Sequence, residues 1–171
     1  STGDAVDFGD TVGQNQQQGG TQSPTRGLLF GGAPRNDETI EFFTIASTGN
    51  SQDFGDLNQL GESLMGCCLS SPVRAIAAGG ANPGVKQNIE YVTIATKGNS
   101  TNFGNMTTSR DQHYSNSDSI RGVFSGGQNP STLDSMEYIQ IMSEGNGVDF
   151  GDLTSAKKNG FDAMSTSHGG L

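Results

Sequence analysis

The sequence predicts an all-β protein built by repetition of a four-strand unit. Three observations carry that prediction. Only 31% of the 171 residues are hydrophobic and 26 are glycine; with so few bulky side chains, sheets that pack through small residues fit better than a thick core. No run of a dozen residues sustains a 3.6-residue apolar period, and glycine interrupts each short apolar segment. Finally, one phrase recurs along the chain: TGDAVDFGDT from Thr2, TGNSQDFGDL from Thr48, KGNSTNFGNM from Lys97 and EGNGVDFGDL from Glu144.

The Asp-Phe-Gly inside that phrase is the tripeptide that carries a magnesium-binding aspartate in protein kinases. A kinase needs it once, after a glycine-rich phosphate loop, a strand lysine and a His-Arg-Asp loop. None of these accompanies it, and a catalytic group is not expected four times, so the phrase marks a structural repeat. Its phenylalanines, Phe8, Phe54, Phe103 and Phe150, are separated by 46, 49 and 47 residues, the length of one propeller blade. Two further landmarks keep step: the doublets Gly31-Gly32, Gly79-Gly80 and Gly126-Gly127, and the segments TIEFFTIA, NIEYVTIA and SMEYIQIM. The units run approximately over 1–46, 47–95, 96–142 and 143–171, the last incomplete.

Within a unit the elements follow in order. A small-residue segment, such as SLMGCCLSS from Ser63, supplies a first strand. RGLLFGG, RAIAAGG and RGVFSGG supply a second, whose mixture of small and apolar residues suits a strand buried on both faces at the centre of a blade. The doublet needs only a backbone explanation, because a strand leaving a crowded hub requires residues that tolerate positive φ and a close neighbour. Phosphate cradling, the sharper alternative, needs a helix N-terminus that the sequence does not supply. A polar loop follows (APRND, ANPGV, QNPST), then a third strand alternating in period two, as in Ile89, Tyr91, Thr93 against Glu90, Val92, Ile94. A Gly-Asn turn leads into the DFGD phrase, read as a short outer strand or ordered loop whose Phe packs on the blade.

The order of strand, Gly-Gly, polar loop, aromatic-bearing strand and second aromatic resembles the kelch repeat. Phe42, Tyr91 and Tyr138 match its tyrosine column, and Phe54, Phe103 and Phe150 its tryptophan column. The chain departs from that pattern in having no tryptophan and in spacing the two aromatics by twelve residues. The phrases TGN..DFGDL, RG.F.GG and IEY.TIA are also similar to kelch-like segments in structural proteins of tailed phages, notably phages of marine bacteria. The resemblance implies a kelch-like β-propeller with blades of four antiparallel strands, about three and a half of them visible. It also implies a virion location, on the surface or the tail, and as partners other virion proteins or a host-surface glycan.

Composition removes several classes of function. The chain carries nine Lys and Arg against 18 Asp and Glu, a net charge of −9, and its scattered cations do not form the basic face that nucleic-acid binding requires. Charged residues are only 16%, and aromatic and β-branched residues cluster regularly, so order is expected over disorder. The longest apolar segments, such as YVTIA from Tyr91, are too short to cross a bilayer, and no basic-then-apolar signal opens the chain. The first residue is a serine in mid-phrase, from which we expect that it is not the natural start.

Candidate chemical groups are few. Cys67 and Cys68 are adjacent, a geometry proteins seldom bridge, and read as buried thiols. With His113 and His168 they give no zinc spacing. Arg26, Arg74 and Arg121 precede the second strands, with His168 in the fourth position; they could ring a propeller mouth for an anion. The favoured expectation is structural, either pairing with the periodic Glu41, Glu90 and Glu137 or capping of backbone carbonyls. Asp7 with Asp10, Asp53 with Asp56 and Asp149 with Asp152 could offer oxygens to calcium. Asn102 and Asn105 break that pattern, and turn formation with side-chain-to-backbone hydrogen bonds is expected instead. No catalytic, metal, cofactor or binding residue is assigned, and no cofactor is expected.

The chain therefore reads as a non-enzymatic interaction module, whose loops GGANPGVKQN and GGQNPSTLDS would meet a subunit or a glycan. A carbohydrate-active propeller enzyme and a cellular kelch scaffolding adaptor are the alternatives. A propeller must close its ring; four blades, association with another subunit and a longer polypeptide are all open. The longer chain is favoured because both ends cut through a repeat, although the N-terminal DFGD and KKNGFDAM could share a closing blade. Homo-oligomerisation follows from the second option.

Overall fold

The computed structural model describes residues 3–13, 16–33, 38–59, 64, 67–81, 84–159 and 163–165. The loop APRND beyond Ala33, most of SLMG before Cys67, His168 and the STSHGGL terminus after Ser165 lie outside the described residues. The described residues contain strands and no helix. The first sheet comprises β1 (Gly19–Gln22), β2 (Arg26–Phe30), β3 (Thr39–Thr44) and β4 (Gln52–Asp56). The second holds β5 (Cys68–Ser70), β6 (Arg74–Ala78), β7 (Asn88–Thr93) and β8 (Thr101–Asn105). The third holds β9 (Tyr114–Ser117), β10 (Arg121–Ser125), β11 (Ser135–Gln140) and β12 (Val148–Asp152), with β13 (Ala163–Ser165) added parallel to β9.

In all three sheets the first four strands lie in chain order and pair antiparallel, so each is a meander. The four expected strands are present in each of the three sheets; the second, third and fourth copies of the phrase form the outer strands, and the first, Asp7–Asp10, is an ordered segment outside the strands. Consecutive sheets stack face to face. Along β6, Ala75 and Ala77 enter the core shared with the first sheet, while Ile76 and Ala78 enter the core shared with the third. A strand buried on both faces follows directly from that alternation. Small residues set the separation: a Cβ at Gly122 would sit 2.6 Å from Leu69 Cδ2.

Each outer strand carries a β-bulge at the phrase. Glu41 pairs with Asp53 and Ile40 with Gly55, leaving Phe54 as the extra residue; Phe103 and Phe150 are left out of register in the same way. The following glycine is held at positive φ, +151° at Gly55 and +153° at Gly104. The Gly-Gly doublets also have positive φ, +67° and +89° at Gly79 and Gly80, +66° and +94° at Gly126 and Gly127. Their amides donate to the carbonyls of Asn88, Arg110, Ser135 and Lys157. The backbone reading holds for them, and amides spent on carbonyls are not available to cradle a phosphate.

Candidate functional site

The polar residues that recur in phase build the joints between sheets. Cross-strand register places Arg26 opposite Thr44, but Glu41 opposite Leu29. With a side-chain period of two, that puts the arginine and the glutamate on opposite faces of one sheet. The same parity separates Arg74 from Glu90 and Arg121 from Glu137, so the expected pairing is corrected: these arginines do not bind these glutamates. For Arg26 and Arg74 the carbonyl-capping alternative is what forms. Arg26 Nη1 donates to Ile94 O at 2.7 Å and Arg74 Nη1 to Ile141 O at 3.1 Å, each reaching into the following unit. The same guanidinium groups lie over their own sheet's aromatic ring, 4.9 Å from Phe42 and 4.2 Å from Tyr91.

The opposite face holds, through the glutamate, the chain that runs on from the preceding copy of the phrase. Glu41 accepts from Val12 N at 3.1 Å and from the Ser51 hydroxyl at 2.6 Å. Glu90 accepts from the amides of Asn58 and Gln59 and from the Ser100 hydroxyl. Glu137 accepts from Thr107 N at 2.7 Å. Where Glu41 and Glu90 meet Ser51 and Ser100, Glu137 meets Gly147, and a Cβ there would collide with Glu137 Oε2. Arg110 takes over as partner: its Nη2 lies 2.8 Å from Glu137 Oε1, with both side chains buried. That contact is ionic rather than a well-aligned hydrogen bond, and the Arg110 Nε has no hydrogen-bond partner among the described residues. Arg110 also donates to Gly126 O and Ser135 O.

The repeated phrase completes the joint through its backbone. Gly49 N donates to Phe8 O, Gly98 N to Phe54 O and Gly145 N to Phe103 O. Two residues on, Ser51, Ser100 and Gly147 donate to the carbonyls of Asp10, Asp56 and Asn105. The side-chain carbonyls of Asn50, Asn99 and Asn146 accept from Asp10 N, Asp56 N and Asn105 N at 2.9, 3.1 and 3.0 Å. A Cβ at Gly9, Gly55 or Gly104 would strike the carbonyl of Gly49, Gly98 or Gly145, so the DFG glycine is where one chain passes over another. Asn50, Asn99 and Asn146, expected only to make a turn, are the staples; their recurrence after each glycine was the available signal.

The DFGD carboxylates themselves are exposed. Asp7 accepts from Gly9 N at 3.2 Å, but the other three copies of the phrase are strands rather than turns, and their hydrogen bonds are chiefly main-chain. Among the described residues no group of three His, Cys, Asp or Glu is arranged to hold a metal ion. Cys67 and Cys68 are buried free thiols, as expected, and burial pushes Cys67 up to about 12. His113 is buried between the second and third sheets, where loss of water pushes it down to about 4, helped by the nearby Arg110 charge. Its Nε2 donates to Ala78 O at 3.1 Å. The neutral ring then accepts at Nδ1 from Ser115 Oγ at 3.4 Å.

One further recurrence was missed in the sequence. Ser23 and Ser71 accept from the amides of Arg26 and Arg74, and Asp118 accepts from Ile120 and Arg121. Those two amide bonds hold the Asp118 carboxyl below the usual range. The signal was a Ser or Asp three residues before each arginine. With scaffold positions so occupied, the surfaces that differ between units are the loops after the doublets. The third loop is stitched by Leu133 N to Gly127 O and Asn129 Nδ2 to Ser109 O at 3.1 Å, and exposes Pro130, Ser131 and Asp134. No protein-family model matches the chain, and a search of curated proteins finds no match.

Proposed function

We propose that the three sheets are blades of a kelch-like β-propeller, whole or in part. The chain would act as a non-enzymatic interaction module of a virion, on a tail, fibre or capsid surface. One observation carries the reading: Glu41, Glu90, Arg26, Arg74, Asn50 and Asn99 are each committed to a joint between units. Recognition is thereby left to loops whose sequences differ, carried on rigid strands. The third loop offers hydroxyl, carboxylate and main-chain groups on a stitched backbone, which suits a neighbouring subunit or a host glycan.

The virion assignment rests on the similarity of the repeated phrases to tailed-phage segments. Mass spectrometry of purified virions from the source that encodes the chain should find it; its absence would remove the assignment. A glycan array paired with a hydrolysis assay should give binding without turnover, weakened by replacing Ser131 and Asp134 together. Turnover would place the protein among carbohydrate-active propellers instead.

A further inference from the structure

Among the described residues, the joint that repeats inside the chain is incomplete on the first sheet and on the third. On the third sheet, none of the described residues covers the arginine face as the next sheet does on the first two. Arg121 lies 4.7 Å over the Tyr138 ring as its counterparts do, but it is exposed. Phe150 is 48% exposed, whereas Phe54 and Phe103 are 2% and 3%. Gly151 keeps a positive φ of +125°, yet nothing lies within 4 Å of a Cβ built there. The strand is shaped for a crossing chain that none of the described residues supplies.

The first sheet has the matching deficit. Ile45 is 39% exposed where its counterparts Ile94 and Ile141 are buried. Among the described residues, its glutamate face is covered by the segment around Val6–Asp10, whose Phe8 packs edge-on to Phe43 at 5.8 Å but stays 40% exposed. A cleft of about 210 Å³ lies beside that segment, lined in part by Phe8, Leu29 and Phe43. The segment reads Val-Asp-Phe-Gly-Asp, identical to β12 over Val148–Asp152.

We propose that the chain associates head to tail with a second copy, β12 of one copy replacing Val6–Asp10 on the first sheet of the other. The internal joints dictate the contacts. Phe150 O accepts from the partner copy's Gly49 amide, Asp152 O from Ser51, and Asn50 Oδ1 accepts from Asp152 N. Thr154 N reaches Glu41, four residues past the phenylalanine as at Asn58 and Thr107. Arg121 caps the Ile45 carbonyl. β13 lies at the opposite edge of the third sheet and leaves the β12 edge free. Such a contact is heterologous and extends to rings or filaments. The N-terminal segment is then an internal competitor that lowers apparent affinity by occupying the acceptor. This inference is independent of where the protein acts.

Sedimentation velocity of the 171-residue chain over a concentration series tests it, with folding of each variant confirmed by circular dichroism. Gly9→Val should expel the internal segment against the Gly49 carbonyl and tighten association about tenfold relative to the unmodified chain. Adding Phe150→Ser or Arg121→Ala, both at exposed positions, to Gly9→Val should return the monomer. The proposal is overturned if Gly9→Val associates no more strongly than the unmodified chain, or if association survives both second substitutions.

Discussion

Arg110 and His113 differ from the other polar residues in belonging to one unit only. The Arg110 guanidinium replaces the serine that serves Glu41 and Glu90, and desolvation lowers its pKa against the opposing pull of Glu137. Arg110→Met should leave Glu137 buried with fewer partners and cost about 3–5 kcal/mol, read as a drop in urea midpoint; a change near zero would remove the pair from the account. His113 gives a pH signature. Its folded pKa of about 4 lies below the unfolded value of 6.5, so the unfolded chain binds the extra proton. The stability from keeping the ring neutral is complete above pH ~6.5 and is lost as pH falls toward ~4, on the order of 3 kcal/mol in all. Urea midpoints flat across that window would contradict its burial. Neither residue was legible as a site, since each acts on partners far along the chain and neither recurs.

At the scale of the strand, the Asp-Phe-Gly phrase divides its work among its residues. The bulged phenylalanine frees a carbonyl for the next unit, the glycine lets that unit's backbone cross, and the next amide meets an asparagine. Gly104→Ala combines strain at φ +153° with a collision at the Gly145 carbonyl, and should cost about 1–3 kcal/mol. Gly151→Ala meets open space and should cost clearly less in the same thermal melts; equal losses would mean that the crossing is unimportant. Asn99→Ala should cost about 1 kcal/mol, one hydrogen bond. Strand order, the outer position of the phrase and the role of the doublets were legible, because each recurs in three phased columns. The partner of Arg74 was less so. Both charges recur, yet period-two parity puts Arg74 and Glu90 on opposite faces, and recurrence alone does not say which unit a face meets. Arg74→Met removes a cap on Ile141 O and a ring contact, and a lower melting temperature is expected.

At the scale of the molecule, each sheet has a glutamate face that receives the chain running on from the preceding phrase and an arginine-aromatic face, which on the first two sheets caps the next sheet. That polarity makes the array directional and leaves unlike surfaces at its two ends, as a propeller or a head-to-tail assembly requires. How the array closes, and with how many units, was not legible, because each joint is local and fixes only a neighbour. The most direct measurement of the directional joint is amide hydrogen exchange at low protein concentration. Gly98, Ser100, Gly145 and Gly147, all outside the strands, should exchange as slowly as strand amides, because Phe54, Asp56, Phe103 and Asn105 accept their hydrogen bonds. Exchange of these four amides at the rate of open turns would contradict the joint.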